Sequence, residues 1–293
     1  MNENNEKSKE KEFKSRYQDL TPLEINMLIK ERMNKIKYKI VVMSGKGGVG
    51  KTTIAVNLAI KLASLGRETG ILDVDITGPD VPLMLNLEGR RPSVDIEKEE
   101  FKPIIGPLNL RVMSMAFLLQ DNQTPVIWRG PLKMSAIRQF LYQAQWGDLD
   151  YMIFDLPPGT SDETLDILQL IEDAYVVIVT QPQDVSLLDV RKAINMTKQM
   201  NRKLLGLIEN MSILITKCPK CNEVIQVDLF GEGGGKKAAE QMGINYLGKI
   251  PFEVDVRKGG DIGFPFIIDH PDSHSGKAFE DIVSKIISIV EKR

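Results

Sequence analysis

The sequence contains Gly45-Lys46-Gly47-Gly48-Val49-Gly50-Lys51-Thr52, directly after an apolar run that ends at Ser44. In this type of segment, consecutive backbone N–H groups surround phosphate oxygens, the last lysine reaches the terminal phosphates and the following hydroxyl binds Mg²⁺. Because a strand precedes the segment and a helix is expected from about Lys51, we interpret it as a phosphate-binding P-loop rather than an ordinary glycine-rich turn. The predicted nucleotide-binding residues here are Gly45, Lys46, Gly47, Gly48, Val49, Gly50, Lys51, Thr52 and Thr53, with Thr52 also predicted to hold magnesium.

Two acidic segments also follow apolar runs. Asp73-Val74-Asp75 lies at the end of one run. Asp155 directly follows the second run, 152–154, and is followed by Leu156-Pro157-Pro158-Gly159. A carboxylate directly after a strand suits the metal of a phosphoryl-transfer site or a water bound to that metal, so Asp155 is the predicted Walker B residue. Each aspartate alone could instead be a turn or helix-capping residue. The P-loop and these two segments occur in the order that a phosphoryl-transfer site requires.

Short apolar runs alternate with stretches of helical spacing along most of the chain. Runs that are apolar on both faces are typical of strands buried between two helix layers. The pattern therefore predicts an α/β fold with a doubly wound, mostly parallel sheet in a single domain. Strands are predicted at 40–43, 71–74, 152–154, 176–179 and 204–208, and helices at about 51–65, 131–144, 162–171 and 186–200.

The regions outside this alternation are assigned separately. Residues 1–19 are polar and are expected to form a disordered tail. Residues 20–37 are expected to form an amphipathic helix that starts with a capping box at Thr21 and Glu24, and 38–293 to form the P-loop domain. Residues 86–109 are interpreted as an excursion from the sheet. A last helix, with apolar residues between 279 and 290, is expected to pack on the core, the alternative being a membrane-surface anchor.

Composition limits the classes of partner. The chain has 38 basic and 40 acidic side chains, a balance that argues against a nucleic-acid-binding protein. No apolar run is long enough to span a bilayer, and the first residues lack the apolar core of a signal peptide. We therefore expect a cytoplasmic protein that acts on neither nucleic acid nor membrane.

Asn210 is the candidate for recognition of the nucleotide base. The guanine-binding pattern Asn-Lys-x-Asp is absent, whereas Asn210 follows the predicted strand 204–208. Its side-chain amide can both donate a hydrogen bond to adenine and accept one from it, which favours ATP over GTP. The alternative is that Asn210 is a turn residue at a strand end.

Cys218 and Cys221 are the only two cysteines of the chain, separated by two residues. Such a pair suits a soft metal ion, an iron–sulfur cluster or a redox disulfide. Its position late in the chain, without a thioredoxin-like arrangement, favours ligation. Structural zinc and [4Fe-4S] sites usually need four protein ligands, so two chains meeting about a two-fold axis are the simplest way to complete the set.

Lys46, directly after the first glycine, resembles the extra lysine in the deviant Walker A motif of the MinD and nitrogenase iron-protein (SIMIBI) class of P-loop NTPases. In that class the lysine contacts nucleotide bound by the partner subunit. The resemblance implies a nucleotide-dependent homodimer in which Lys46, Lys51, Asp75 and Asp155 are catalytic, with Asp75 orienting or deprotonating the attacking water. It also implies that Gly159 lets the second switch loop move with the γ-phosphate. The alternative for Lys46 is an ordinary solvated lysine.

A more specific resemblance covers about residues 40–251. Glu209-Asn210-Met211-Ser212, then Cys218 and Cys221, then Phe230-Gly231-Glu232-Gly233-Gly234-Gly235-Lys236-Lys237, resemble the Mrp/ApbC family of iron–sulfur cluster carrier ATPases. Asp73-Val74-Asp75 with Gly78-Pro79, and Trp128-Arg129-Gly130-Pro131, are similar to that family too. The resemblance implies a homodimer that binds and hydrolyses ATP with Mg²⁺, receives a [4Fe-4S] cluster on Cys218 and Cys221 of both subunits, and passes it to apoproteins. The competing hypothesis is a MinD- or ParA-like positioning ATPase in which the cysteines are idle or hold structural zinc.

Overall fold

A computed structural model of the chain describes residues 17, 20–118, 130–218, 220–231, 233–261 and 263–292. Within these residues, nine strands form one sheet, and helices cover both of its faces. The predicted tail 1–19, apart from Tyr17, lies outside the described residues, and so does the segment Trp128-Arg129.

The sheet is mostly parallel, as the sequence predicts. Its order is β10-β9-β8-β1-β7-β2-β6-β5, and β11 pairs with β9. Only β5 and β10 run antiparallel to their neighbours among the described pairings of this sheet. Its strands are β1 (Ile36–Ser44), β2 (Thr69–Asp73), β5 (Ile104–Ile105), β6 (Arg111–Ser114), β7 (Leu149–Asp155), β8 (Tyr175–Thr180), β9 (Lys203–Lys217), β10 (Val224–Val227) and β11 (Tyr246–Glu253), while β3 (Ser93–Asp95) and β4 (Glu100–Lys102) form a separate ribbon.

Two apolar cores, one on each face of the sheet, hold the three layers together. One core contains side chains from α1, α4, α5, α6 and α7, and the other contains side chains from α2, α3, α9 and α10. All five residues of β2 are buried, as expected for a central parallel strand covered on both faces. The helices are α1 (Pro22–Met33), α2 (Lys51–Ser64), α3 (Val81–Met84), α4 (Gly130–Gln143), α5 (Asp162–Leu170), α6 (Asp184–Gln199), α7 (Gly234–Met242), α8 (Val254–Asp261), α9 (Phe266–Asp269) and α10 (His274–Val290).

The N-terminal helix is shorter than the predicted range 20–37. Thr21 and Glu24 form the expected capping box, but the helix ends at Met33. Ile36 belongs to β1, where it pairs with Leu149 of β7. Its apolar side chain is compatible with the helical pattern and with a buried strand. Backbone pairing with β7 places it in the strand.

Of two further expectations about the periphery, one is corrected and one is confirmed. Residues 86–109 are not wholly an excursion, because Ile104–Ile105 pairs with β6 and so forms one edge of the main sheet. The apolar face of α10 is buried against the core, which excludes the alternative of a membrane-surface anchor for that face. Among the described residues, every helix is too short or too polar to span a bilayer.

The strand β9 is much longer than the predicted 204–208. It continues to Lys217, because β11 and β10 supply backbone hydrogen-bonding partners that come later in the chain. Its last four residues, Leu214–Lys217, form a hairpin with β10, and both cysteines lie in the connecting loop. We call residues 212–229 the cysteine hairpin.

Candidate functional site

The P-loop lies at the carboxyl edge of the sheet, between β1 and α2. Gly48 and Gly50 have φ values of 78° and 80°, in the left-handed region that glycine adopts without strain. Gly45 is needed for close packing, since a Cβ there would lie 2.4 Å from the backbone carbon of Asp189. A cavity of about 310 Å³ opens above the loop, lined by Ser44, Lys46, Gly47, Gly48, Val49, Gly50, Lys51, Thr52, Thr53, Asp75, Thr77, Gly78, Asp80, Met84 and Pro158.

Lys51 and Asp155 form a buried ion pair beside this cavity. Lys51 Nζ lies 2.5 Å from Oδ1 of Asp155, and it lies 3.4 Å from Oγ1 of Thr52. The second carboxylate oxygen of Asp155, Oδ2, is buried and has no hydrogen-bond partner within the described residues. An unpartnered buried carboxylate oxygen close to a threonine hydroxyl fits the needs of a hydrated Mg²⁺ ion, which prefers oxygen ligands.

Two aspartates at the end of β2 have different surroundings. Asp73 is fully buried, accepts a hydrogen bond from Ser114 Oγ at 2.8 Å, and lies opposite Asp155 in the pairing of β2 with β7. Asp75 lines the cavity, and its Oδ1 accepts hydrogen bonds from Thr77 Oγ1 at 2.6 Å and from the Thr77 backbone N–H at 3.0 Å. Asp73 thus links β2 to β6 through Ser114, while Asp75 lines the cavity over the P-loop.

The electrostatics of the buried carboxylates follow from this arrangement. Burial raises the pKa of Asp73 well above its ordinary value, and the nearby carboxylate of Asp155 raises it further. Burial also raises the pKa of Asp155, although the ammonium of Lys51 opposes that shift. Both buried carboxyl groups are therefore held closer to their neutral form than an exposed aspartate is.

Asn210 lies within β9 rather than after a strand end, which corrects its predicted position. Its side-chain Nδ2 donates a hydrogen bond to the backbone oxygen of Val49 at 2.9 Å. It also lines a second cavity of about 270 Å³, which shares Thr53, Asp80 and Met84 with the cavity over the P-loop. The structure therefore places Asn210 against the P-loop and in the cavity that adjoins the P-loop cavity, and its role in base recognition stays a prediction.

Cys218 and Cys221 lie at the tip of the cysteine hairpin, beyond the part of β9 that contacts the P-loop through Asn210. Cys218 is partly exposed and Cys221 is exposed. Hydrogen bonds from the backbone N–H groups of Cys221 and Lys220 lower the pKa of the Cys218 thiol, which favours the thiolate form that binds metals. Within the described part of the chain, no group of three or more His, Cys, Asp or Glu side chains could hold a metal ion.

Gln181 and Glu209 lie near the site, although neither belongs to a motif that marks a site residue by itself. Gln181, which follows β8, donates hydrogen bonds to the backbone oxygen of Gly48 at 3.2 Å and to Met211 Sδ at 3.0 Å. Glu209 is buried and accepts a hydrogen bond from the backbone N–H of Gly235 at 2.6 Å, at the first turn of α7. The only sequence signal for these contacts is that Glu209, Met211 and Gly235 lie in segments that resemble the carrier family.

The sequence is similar to known proteins over most of its length. The family model described as ParA, NUBPL iron-transfer P-loop NTPase, matches residues 35–287. The iron-sulfur cluster carrier protein of Saccharolobus solfataricus is 47% identical over 268 residues, covering 91% of this chain and 88% of the relative.

Two solved structures are similar in fold. A nucleotide-binding protein from Archaeoglobus fulgidus, solved in complex with ADP and with cobalt found by PIXE, is 39% identical, with a TM-score of 0.70 over 82% of this chain and 92% of the other. The cell division ATPase MinD of Pyrococcus furiosus is 22% identical, with a TM-score of 0.62 over 86% of this chain and 99% of the other. At that identity, the likeness to MinD concerns the fold alone.

Proposed function

The chain belongs to the family of NUBPL iron-transfer P-loop NTPases, and on that premise we propose that it is an ATP-hydrolysing carrier of [4Fe-4S] clusters. The observation that carries the proposal is that a single strand, β9, runs from Asn210, which contacts the P-loop at Val49, to Lys217, next to the cysteine pair. A positioning ATPase has no need for two accessible thiols at the tip of a hairpin. The named function of the Saccharolobus relative supports the same choice.

Nucleotide binding is assigned to the P-loop cavity. Lys51 would exchange its contact with Asp155 for the terminal phosphates, and the backbone N–H groups of the loop would hold the phosphate oxygens. Thr52 and Asp155 would hold hydrated Mg²⁺, which neutralises charge on the phosphates when it is bound. Asp75 would orient the attacking water, and Lys46 would reach the nucleotide of a second subunit.

Cluster binding requires two copies of the chain. Each chain supplies two thiolates, whereas a [4Fe-4S] cluster takes four cysteine ligands. All four residues of β10 are exposed, and Val224, Ile225 and Val227 form an apolar edge next to the cysteines. A second copy of this hairpin would cover that edge while it completes the ligand set about a two-fold axis. Both pairs would remain near the surface, where a recipient apoprotein can reach the cargo.

The proposal is tested by transfer of the cluster. Wild-type protein reconstituted under anaerobic conditions is mixed with an apo [4Fe-4S] enzyme, and the recovered enzyme activity is followed with and without Mg-ATP. We expect activation by wild type and none by the Cys218→Ser variant. Absence of activation by a fully loaded wild-type protein would contradict a carrier function.

The competing function, a positioning ATPase, is tested with the same proteins. Wild type and Cys218→Ser are sedimented with anionic liposomes and, separately, with duplex DNA, each in the presence of Mg-ATP. A carrier should remain in the supernatant in both cases. ATP-dependent co-sedimentation that is equal in the two proteins would favour the positioning function, because it would leave the cysteines without a role.

A further inference from the structure

Met211 marks an irregular point in β9. Its φ is 56°, in the left-handed region that residues other than glycine rarely adopt. The register with β11 shifts at the same place, because Asn210 pairs with Ile250 whereas Leu214 pairs with Phe252. A strained backbone of this kind persists only where surrounding contacts hold it, and such residues cluster at functional sites. The bulge divides β9 into a part within the sheet and a part within the cysteine hairpin.

Two side chains, those of Gln181 and Asn210, connect the P-loop to the bulge. Gln181 is buried, and its Nε2 lies 3.2 Å from the backbone oxygen of Gly48 and 3.0 Å from Met211 Sδ. The neighbouring Asn210 donates to the backbone oxygen of Val49 at 2.9 Å. The carbonyl groups of Gly48 and Val49 are therefore hydrogen-bonded by two side chains. Gln181 also contacts the strained Met211, and Asn210 precedes Met211 in the chain.

The chain that leaves the cysteine hairpin after β10 also contacts β9 next to the bulge. After β10 the chain enters α7, and the backbone N–H of Gly235 donates to the carboxylate of Glu209 at 2.6 Å. Glu209 lies two positions before Met211 in β9. Both ends of the hairpin are thus attached to residues 209–211, so a shift of this short segment would move the hairpin as a unit. Cys218 lies roughly 23 Å further along the strand, at the usual rise of an extended chain.

We propose that Gln181 and Met211 are positioning residues that transmit the occupancy of the P-loop to the cysteine hairpin. When phosphates engage the backbone N–H groups of the loop, the peptide groups of Gly48 and Val49 reorient, and Gln181 carries that change to the bulge. Such coupling requires an element with two arrangements, and the proposal assigns that role to the bulge. The proposal rests on the proposed function, in that the hairpin carries the cluster, and it assigns the nucleotide the task of setting the position of the cysteines.

The reactivity of the thiols tests this coupling without iron, because the chain has only two cysteines and both lie in the hairpin. The rate of reaction of metal-free protein with a chromogenic disulfide is measured alone and with saturating Mg²⁺ and a non-hydrolysable ATP analogue. For wild type we expect the nucleotide to change the rate by about fivefold or more, the lower range of measured couplings between sites. Two protein concentrations about tenfold apart separate this effect from association of subunits, which depends on concentration.

Matched glutamine variants show whether the coupling follows the proposed route. In Gln181→Ala the nucleotide should no longer change the rate, whereas Gln199→Ala, exposed at the end of α6 and outside the hairpin, should keep the wild-type response. Met211→Gly removes the thioether and relieves the backbone strain, and it should also lose the response at saturating nucleotide. A wild-type rate that does not change with nucleotide would overturn the proposal, as would a full response in either Gln181→Ala or Met211→Gly. A protein that shows the response but never binds a cluster would refute the carrier function and leave the coupling intact.

Discussion

Lys51 Nζ lies 2.5 Å from Oδ1 of Asp155, and the two side chains are only 6% and 0% exposed. The pair joins the last P-loop lysine to the end of β7, across 104 residues of sequence. Each partner neutralises a charge that would otherwise be costly to bury. The lysine is therefore held in place before it takes up its predicted contact with phosphate.

Replacing Lys51 by Ala should abolish nucleotide binding and also destabilise the fold. The variant leaves the Asp155 carboxylate buried without its partner, which costs about 3 kcal/mol of the free energy of unfolding. Cluster loading should survive, because Cys218 and Cys221 lie in a separate hairpin. Urea unfolding, nucleotide titration and iron binding measure the three effects.

The control for that variant is Lys61→Ala, on the same helix. Lys61 pairs with the mostly exposed Glu280 at 3.6 Å, so its removal should cost no more than about 1 kcal/mol. Protonation of Asp155 should reduce the cost of Lys51→Ala at lower pH. Unchanged affinity for ATP in Lys51→Ala would contradict the assignment of the phosphate site.

Asp73→Asn should weaken the pH dependence of stability of the protein without nucleotide or metal. The pKa of Asp73 in the folded state lies well above its ordinary value of 3.8. Between the unfolded-state and folded-state pKa values, the folded state therefore binds more protons than the unfolded state. The free energy of unfolding therefore falls as pH rises through the folded-state pKa, and an amide does not titrate. Thermal unfolding from about pH 5 to about pH 8 measures this slope, with the exposed Asp148→Asn as the control. A slope equal to that of wild type in Asp73→Asn would contradict the prediction.

Gly234→Ala should be strongly destabilising. A Cβ at this position would lie 1.9 Å from the backbone oxygen of Pro182, and backbone atoms cannot move aside as the end of a side chain can. The expected loss in the free energy of unfolding is about 1–3 kcal/mol. Gly78→Ala, where nothing lies within 4 Å of the added carbon, should have a small effect on stability. Equal unfolding midpoints for the two variants would show that the glycine run at the start of α7 is not required for packing.

Asn210→Ala should reduce the preference for ATP over GTP. The loss of one hydrogen bond to the base weakens ATP binding by about 1 kcal/mol. The same variant also loses the contact with the backbone oxygen of Val49, which would weaken both nucleotides. The ratio of the two dissociation constants, measured by titration calorimetry, separates these effects. A ratio that stays at the wild-type value would contradict a role in base recognition and leave Asn210 with only its contact to the P-loop.

The local parts of this architecture could be predicted from the sequence. The strand, glycine loop and helix around Lys51 are contiguous, and the aspartates of β2 and β7 are recognisable because they directly follow apolar runs. The parallel sheet then brings their carboxyl ends to one edge. The resemblance to the carrier family predicted a role in cluster binding for the segment that contains Cys218 and Cys221.

Features that depend on distant pairing could not be predicted. The extent of β9 is decided by β10 and β11, which come later in the chain, so the segment Asn210-Met211-Ser212 could be taken for a strand end. The contact of Gln181 with Gly48 spans 133 residues and involves no motif. Ile36 fits helical spacing, and only its pairing with Leu149 places it in a strand.

The most direct test of the central claim is to measure iron, sulfide and native mass together on anaerobically reconstituted wild type, beside a variant in which both Cys218 and Cys221 are serine. Shared ligation predicts a brown dimer with about four irons and four sulfides per two chains, and a colourless variant. A strictly monomeric protein that holds a full complement of iron and sulfide in the presence of nucleotide would contradict it.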